Sequence, residues 1–366
     1  MKKTLSVCLT LLILLGLFAA PAAALPLSAG TDALNAQFPD GAYEGLFDFV
    51  YFSPVKGESD AVKYPLLVWL HGMNSGTEPR AQLQWYHFSN FASDEYQARF
   101  KDAGGCFLLA VRADDRIGGN NWDSSMCSKL KETIDRFISE HAANVDPNRI
   151  YIAGYSTGGS MAWDMAAKYG PFFAAVVPLA SLYQPTATDL NNLKNVSVWV
   201  FCCDQDPYPM AQTAETEVTF EYLKSVSKRR SSIRMTRFSE AVFADGTKQY
   251  IAPGTLIDSR EHYIWESFTF DMHMIDGVTP YAYASTVNGD GSAVTFQDPE
   301  VGVISWLSAQ RRYTSPNELD TPSEPPYDPP EEPAEIPTAT ESFMRFVMMF
   351  IGYIKAFFEG LFGRFN

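Results

Sequence analysis

Residues 149–167 read RIYIAGYSTGGSMAWDMAA, and this stretch decides the fold. An apolar run (Ile150, Tyr151, Ile152, Ala153) leads into Gly154-Tyr155-Ser156-Thr157-Gly158, a G-x-S-x-G pattern. Beyond it, Met161/Met165 and Ala162/Ala166 recur at i, i+4. That order predicts a buried strand, a tight turn and a helix. A serine on such a turn sits in strained backbone with its hydroxyl pushed out of the fold. The flanking glycines leave room for strand and helix to approach, and the Thr157 amide points to where an oxyanion would form. The pentapeptide alone is common. The strand before it and the helix after it separate this reading from a Gly-rich turn carrying a solvent serine.

Upstream, Leu66-Leu67-Val68-Trp69-Leu70 is a continuous apolar run, as a strand buried on both faces requires. His71-Gly72 ends it, and Met73, Asn74, Ser75 and Gly76 form a turn-rich loop at its carboxyl end, where ligands sit in open α/β sheets. Residues 43–54 read as an edge strand or hairpin, and 80–104 as mixed helix and loop. Cys106–Val111 is a further strand. Its exit loop, Arg112–Asp123, holds Trp122, which either lines a cleft or caps the core. Ser125–Ala142 is an amphipathic helix with Leu130, Ile134 and Ile138 on one face. Downstream, strands are expected at 172–179, 196–202 and 233–238, and helices at 211–226 and 301–312, with 240–298 mostly irregular. This alternation predicts an α/β fold, a mostly parallel central sheet with helices on both faces.

The 366 residues are 46% hydrophobic and 19% charged, enough for a large core. A net charge of −15 with no basic face argues against a nucleic-acid partner. Residues 1–24 carry Lys2 and Lys3, an apolar run from Leu11 to Ala20 and an Ala22-Ala23-Ala24 cleavage site, which predicts a signal peptide and a secreted or cell-surface protein. Four cysteines remain after it, too few for a disulfide scaffold. Cys106–Cys127 is a candidate pair. Cys202 and Cys203 should face opposite sides of a strand, and no metal-ligand spacing appears. The folded α/β domain is expected over 25–313. Residues 314–341 contain eight prolines, eight acidic residues and neither Lys nor Arg, which predicts an extended linker. Residues 342–366 are rich in Phe, Met and Ile with a narrow polar stripe, and their longest uncharged run is too short to span a bilayer. A helix lying in a membrane surface is expected there, against docking on its own domain or self-association.

An activated serine needs a base, and the base needs an orienting acid. After Ser156 only His262 and His273 remain, in the serine–acid–histidine order of α/β-hydrolases. His71 is read as shaping the loop that follows it. The segments PLLVWLHG (65–72), DPNRIYIAGYSTGG (146–159), VWVFCCDQDP (198–207) and ISWLSAQRR (304–312) resemble the polyhydroxybutyrate-depolymerase-like and feruloyl-esterase-like α/β-hydrolases, over roughly residues 45–312. The resemblance implies a serine carboxylic-ester hydrolase without cofactor or metal. It implies an oxyanion hole from the amides of Thr157 and Met73; from their places beside the elbow, His71, Gly72, Trp122 and Tyr155 are expected to touch the substrate pocket. The family's acid follows Phe-His-Gly-x-x-Asp. Here Phe201-Cys202-Cys203-Asp204-Gln205-Asp206 stands in its place, so Asp206 is the acid, with Asp204 the alternative and the His-Gly pair lost to two cysteines. Relatives carry His followed shortly by Trp. His262 with Trp265 fits, and His273 is the alternative base. Residues 266–298 then read as an insertion that shapes specificity, acts as a lid or decorates the surface. The competing functions are a serine peptidase of the same fold and a non-catalytic surface binding protein.

Overall fold

The computed structural model describes residues 25–57, 60–73, 75, 78–113, 121–239, 262–272, 284–295 and 301–312. The leader, His273, the linker and the tail lie outside the described residues. Ten strands form one sheet in the order β1-β2-β4-β3-β5-β6-β7-β8-β9-β10. They are β1 (Asp40–Gly41), β2 (Phe49–Phe52), β3 (Tyr64–Leu70), β4 (Phe107–Val111), β5 (Val145–Tyr155), β6 (Ala175–Leu179), β7 (Ser197–Cys203), β8 (Ile233–Phe238), β9 (Ala284–Asn288) and β10 (Ala293–Val294). The six from β4 to β8 pair in parallel, and antiparallel strands close both edges.

The unbroken apolar run of β3 is explained by burial on both faces. Leu67 and Trp69 join one core cluster, and Leu66, Val68 and Leu70 the other. β7 divides the same way, with Cys203 in the first cluster and Cys202 in the second. The helices that matter here are α1 (Ala81–Tyr86), α2 (Cys127–Glu140), α3 (Thr157–Tyr169), α4 (Thr213–Val226), α5 (Trp265–Thr269) and α6 (Val303–Ser308). α2 buries Leu130, Ile134 and Phe137, and α3 buries Met161, Ala162, Met165 and Ala166, all in the second cluster. α5 and α6 cover the opposite face through Trp265, Phe268, Ile304 and Trp306.

Three expectations are corrected. Cys106 and Cys127 are both free and buried. The sheet separates them, since Cys106 packs in the first cluster and Cys127 in the second. The helix expected at 301–312 is confined to α6, whose first turn is marked by the Asp271 carboxylate accepting the Ile304 amide at 2.7 Å. The region 240–298, expected to be mostly irregular, is not so throughout. Its described part contributes a buried helix, α5, and an edge hairpin, β9–β10, that extends the sheet beside β8.

Candidate active site

β5 ends at Tyr155 and α3 begins at Thr157, which leaves Ser156 as the junction residue with φ 58° and ψ −118°. A non-glycine residue held there stores about 1–3 kcal/mol of backbone strain. The strain is held by neighbours on both sides. The Ser156 amide donates to the Leu179 carbonyl of β6 at 2.9 Å, and its carbonyl accepts from Ser160 at 3.0 Å. Close approach explains the glycines. A Cβ on Gly158 would stand 2.2 Å from the Leu70 carbonyl oxygen, and one on Gly154 2.2 Å from the Gly158 oxygen. The first turn of α3 therefore rests on the carboxyl end of β3. The Thr157 amide opens a helix and has no acceptor within it.

Three side chains from distant parts of the chain meet at this turn. His262 Nε2 lies 2.9 Å from Ser156 Oγ, and His262 Nδ1 lies 2.7 Å from Asp206 Oδ2. With a carboxylate on one ring nitrogen, Nδ1 carries the hydrogen and Nε2 accepts from the serine hydroxyl. Asp206 is fully buried. Its other oxygen accepts the Tyr208 amide at 2.9 Å, so the turn after β7 fixes the carboxylate plane. The His262 ring lies between Tyr155 and Tyr208, with ring centroids 5.1 and 4.6 Å away. Its segment is anchored by α5, where Phe268 stacks on Trp69 of β3 at 5.5 Å. The buried Asp271 adds an ion pair with the half-buried Arg99.

Asp204, the alternative acid, takes no part in this chain of contacts. Both its oxygens accept from Arg237 at 2.7 Å, and that pairing holds its carboxyl below the usual range. His273, the alternative base, lies outside the described residues. Trp122 does not line an open cleft. It is 6% exposed, sits edge-on to Phe47, and donates from its indole to the His71 carbonyl at 3.0 Å, so it caps the core below the β3 terminus.

His71 is buried as well. Its Nε2 accepts the Ala113 amide at 3.0 Å, and its Nδ1 lies 2.6 Å from the Gly72 carbonyl oxygen. Burial pulls its pKa down from 6.5 to about 4, so the ring is neutral at pH 7. Gly72 is hemmed in: a Cβ would meet the Tyr155 ring at 2.8 Å. Met73, next along, is exposed. Tyr155 packs against Tyr86 and Trp265, and burial drives its phenol pKa well up. Tyr208, Tyr86 and Ser75 were not singled out from the sequence. Tyr208 follows the acid by two residues, a usable signal. Tyr86 has none, because its contacts are set by the fold.

Comparison with known proteins adds three findings. The Dienelactone hydrolase family model matches residues 112–249, a span that holds Ser156 and Asp206 and stops before His262. Poly(3-hydroxyalkanoate) depolymerase C of Paucimonas lemoignei is 26% identical over 180 residues, covering 48% of this chain and 41% of that protein. A crystal structure described as a thermostable esterase superposes with a TM-score of 0.52 at 20% identity, over 76% of this chain and 64% of that one. The chain thus spans less than two thirds of the length of both relatives. The strand–turn–helix around Ser156, the sheet order and these matches agree on one conclusion: the chain has an α/β-hydrolase fold.

Proposed function

We propose that the protein is an exported serine carboxylic-ester hydrolase working through an acyl-enzyme. The observation that carries this reading is the buried relay Ser156–His262–Asp206, with contacts of 2.9 and 2.7 Å. His262 takes the serine proton as Oγ attacks the ester carbonyl, and returns it to the leaving alcohol. Asp206 keeps the imidazole in the accepting tautomer and stabilises the cation that forms. The Thr157 and Met73 amides receive the oxyanion. Water, deprotonated by His262, then releases the acid and regenerates Ser156.

Polyester or feruloyl and acetyl esters are the proposed substrates. The named polyester depolymerase among the relatives supports the first class. The half-buried Tyr208 and Tyr263 beside His262 supply apolar surface for either. Export is supported by the leader-like residues 1–24, and attachment to a membrane surface by the composition of 342–366.

Ser156→Ala, assayed on p-nitrophenyl acetate, a feruloyl ester and an aminoacyl anilide, tests the reading. Turnover on the two esters should fall by about 10⁶ if the three groups act as a unit. Ser156-dependent cleavage of the anilide alone would make the protein a peptidase, and none on any of the three would remove it from the enzymes. Equal partitioning onto liposomes with and without residues 342–366 would discard the membrane attachment.

A further inference from the structure

The loop after β3 is held by a closed ring of hydrogen bonds outside the serine relay. The Gly72 amide donates to the Tyr86 hydroxyl at 3.2 Å. Ser75 Oγ has a single hydrogen, which the Gly72 carbonyl oxygen takes, so in the Tyr86–Ser75 contact the Tyr86 hydroxyl donates and Ser75 Oγ accepts. Ser75 Oγ in turn donates to the Gly72 carbonyl oxygen at 2.7 Å. The same oxygen takes a second bond from His71. Because His71 Nε2 accepts from Ala113, its Nδ1 carries the hydrogen and donates to Gly72 at 2.6 Å. Tyr86, Ser75 and His71 are all at least 95% buried, at 5%, 5% and 2% exposure. Water does not compete for these bonds on equal terms.

This ring has a directional result. The Gly72 carbonyl and the Met73 N–H belong to one peptide plane. In a trans peptide the two point in opposite directions, and no cis bond occurs among the described residues. Two donors pull the carbonyl to one side, so the Met73 N–H is turned to the other. The Gly72 amide held by Tyr86 fixes the preceding plane, so both hinges of Gly72 are constrained. Tyr86 is itself clamped, with ring centroids 5.7 Å from Tyr155 and 5.2 Å edge-on from Trp265. These neighbours precede the serine and follow the histidine.

We infer that Tyr86 and Ser75 are positioning residues that aim the Met73 amide at the developing oxyanion. They touch neither substrate nor the reacting atoms and act through the Gly72–Met73 peptide plane. The inference rests on the esterase reading above for its catalytic part, and on geometry alone for the orientation of the plane.

The test uses the full chain with Tyr86→Phe, Ser75→Ala, the double variant, and Trp85→Ala as a control on an exposed neighbour of Tyr86. Tyr86→Phe keeps the clamped ring and removes only the hydroxyl. Expected on p-nitrophenyl acetate is a kcat loss of about 10- to 100-fold in each single variant, below the loss on removing an oxyanion donor outright. KM should stay within about twofold, because ground-state binding is untouched. The double variant should lose less than the product of the single losses, since both act on one carbonyl. Independently of turnover, selective 15N-methionine labelling, with Met73 assigned by Met73→Leu, should show the Met73 amide resonance moving in both single variants and not in Trp85→Ala. If Ser156-dependent turnover is present and kcat is unchanged in Tyr86→Phe and Ser75→Ala, the positioning role is overturned while the esterase reading stands. If no Ser156-dependent turnover exists, the esterase reading fails and the resonance decides: movement keeps the orientation device, and no movement overturns it.

Discussion

Acidifying the protein should weaken it through His71, by an amount that follows from burial. The ring is neutral in the fold, with its pKa drawn from 6.5 to about 4 by desolvation, partly offset by the bond to Gly72. The unfolded chain, with an ordinary imidazole, takes up its proton as pH falls through 6.5, and the folded chain does not follow until about 4. Between these values the unfolded state binds more protons, so stability falls with falling pH. The loss begins near 6.5 and levels off below about 4. Linkage gives about 0.8 kcal/mol at pH 6, about 2 kcal/mol at pH 5 and about 3 kcal/mol in the acid limit. His87, whose pKa is also lowered by burial, contributes in the same direction, so a single acid titration does not isolate His71. Urea unfolding of the wild type and of His71→Gln at pH 7.5, 6 and 5 removes that contribution by difference. The gap between the two proteins should narrow by about 2 kcal/mol from pH 7.5 to 5. Parallel curves across that range would refute the reasoning, and a gap that widens on acidification would mean that folded His71 binds its proton more tightly than the unfolded chain does.

Two further outcomes separate the alternatives raised by the sequence. Asp206→Asn should cut ester kcat by about 10⁴ by favouring the wrong imidazole tautomer, while Asp204→Asn, which weakens contacts with Arg237 and Thr213 outside the relay, should leave kcat within about threefold. Steady-state rates on p-nitrophenyl acetate read both, and a larger loss in Asp204→Asn would reverse the assignment of the acid. Cys106, Cys127, Cys202 and Cys203 should be unreactive to a thiol reagent in the folded protein and all titrate on unfolding without reductant, since each is buried and free and burial raises the thiol pKa of Cys106, Cys127 and Cys202.

What the sequence disclosed and what it hid divide along the range of the interactions involved. β3 and the elbow are local: Leu66–Leu70 must be apolar on both faces, and the glycines around Ser156 must lack a Cβ. Those constraints are written into consecutive residues. Asp206 and His262 were legible through motif spacing, although the contact between them joins residues 56 apart in sequence. β9 and β10 were missed because a short edge pair such as Ala284–Asn288, half exposed and carrying Ser, Thr and Asn, has little apolar alternation to detect. The cleft reading of Trp122 and the Cys106–Cys127 pairing failed for another reason. Composition shows that a side chain will be buried and not on which side of the sheet. The partners of Tyr86 are 14 and 11 residues upstream, across a turn whose course no local pattern dictates.

The anchoring of His262 through α5 has a consequence for the order in which the molecule becomes competent. The nucleophile's strained turn is built from β3, β5, β6 and α3, which are complete by residue 179. Its histidine partner arrives from 106 residues downstream, just ahead of a short helix whose seat is the face of Trp69. Closing a loop of that length costs entropy before the contact repays it, and a docked segment of a few residues is a unit that can open without the rest of the fold. A chain can therefore hold a finished sheet and a finished elbow and still be inert. Under the proposed function, turnover is expected to be lost in mild denaturant with the undocking of one five-residue helix, before the sheet itself comes apart.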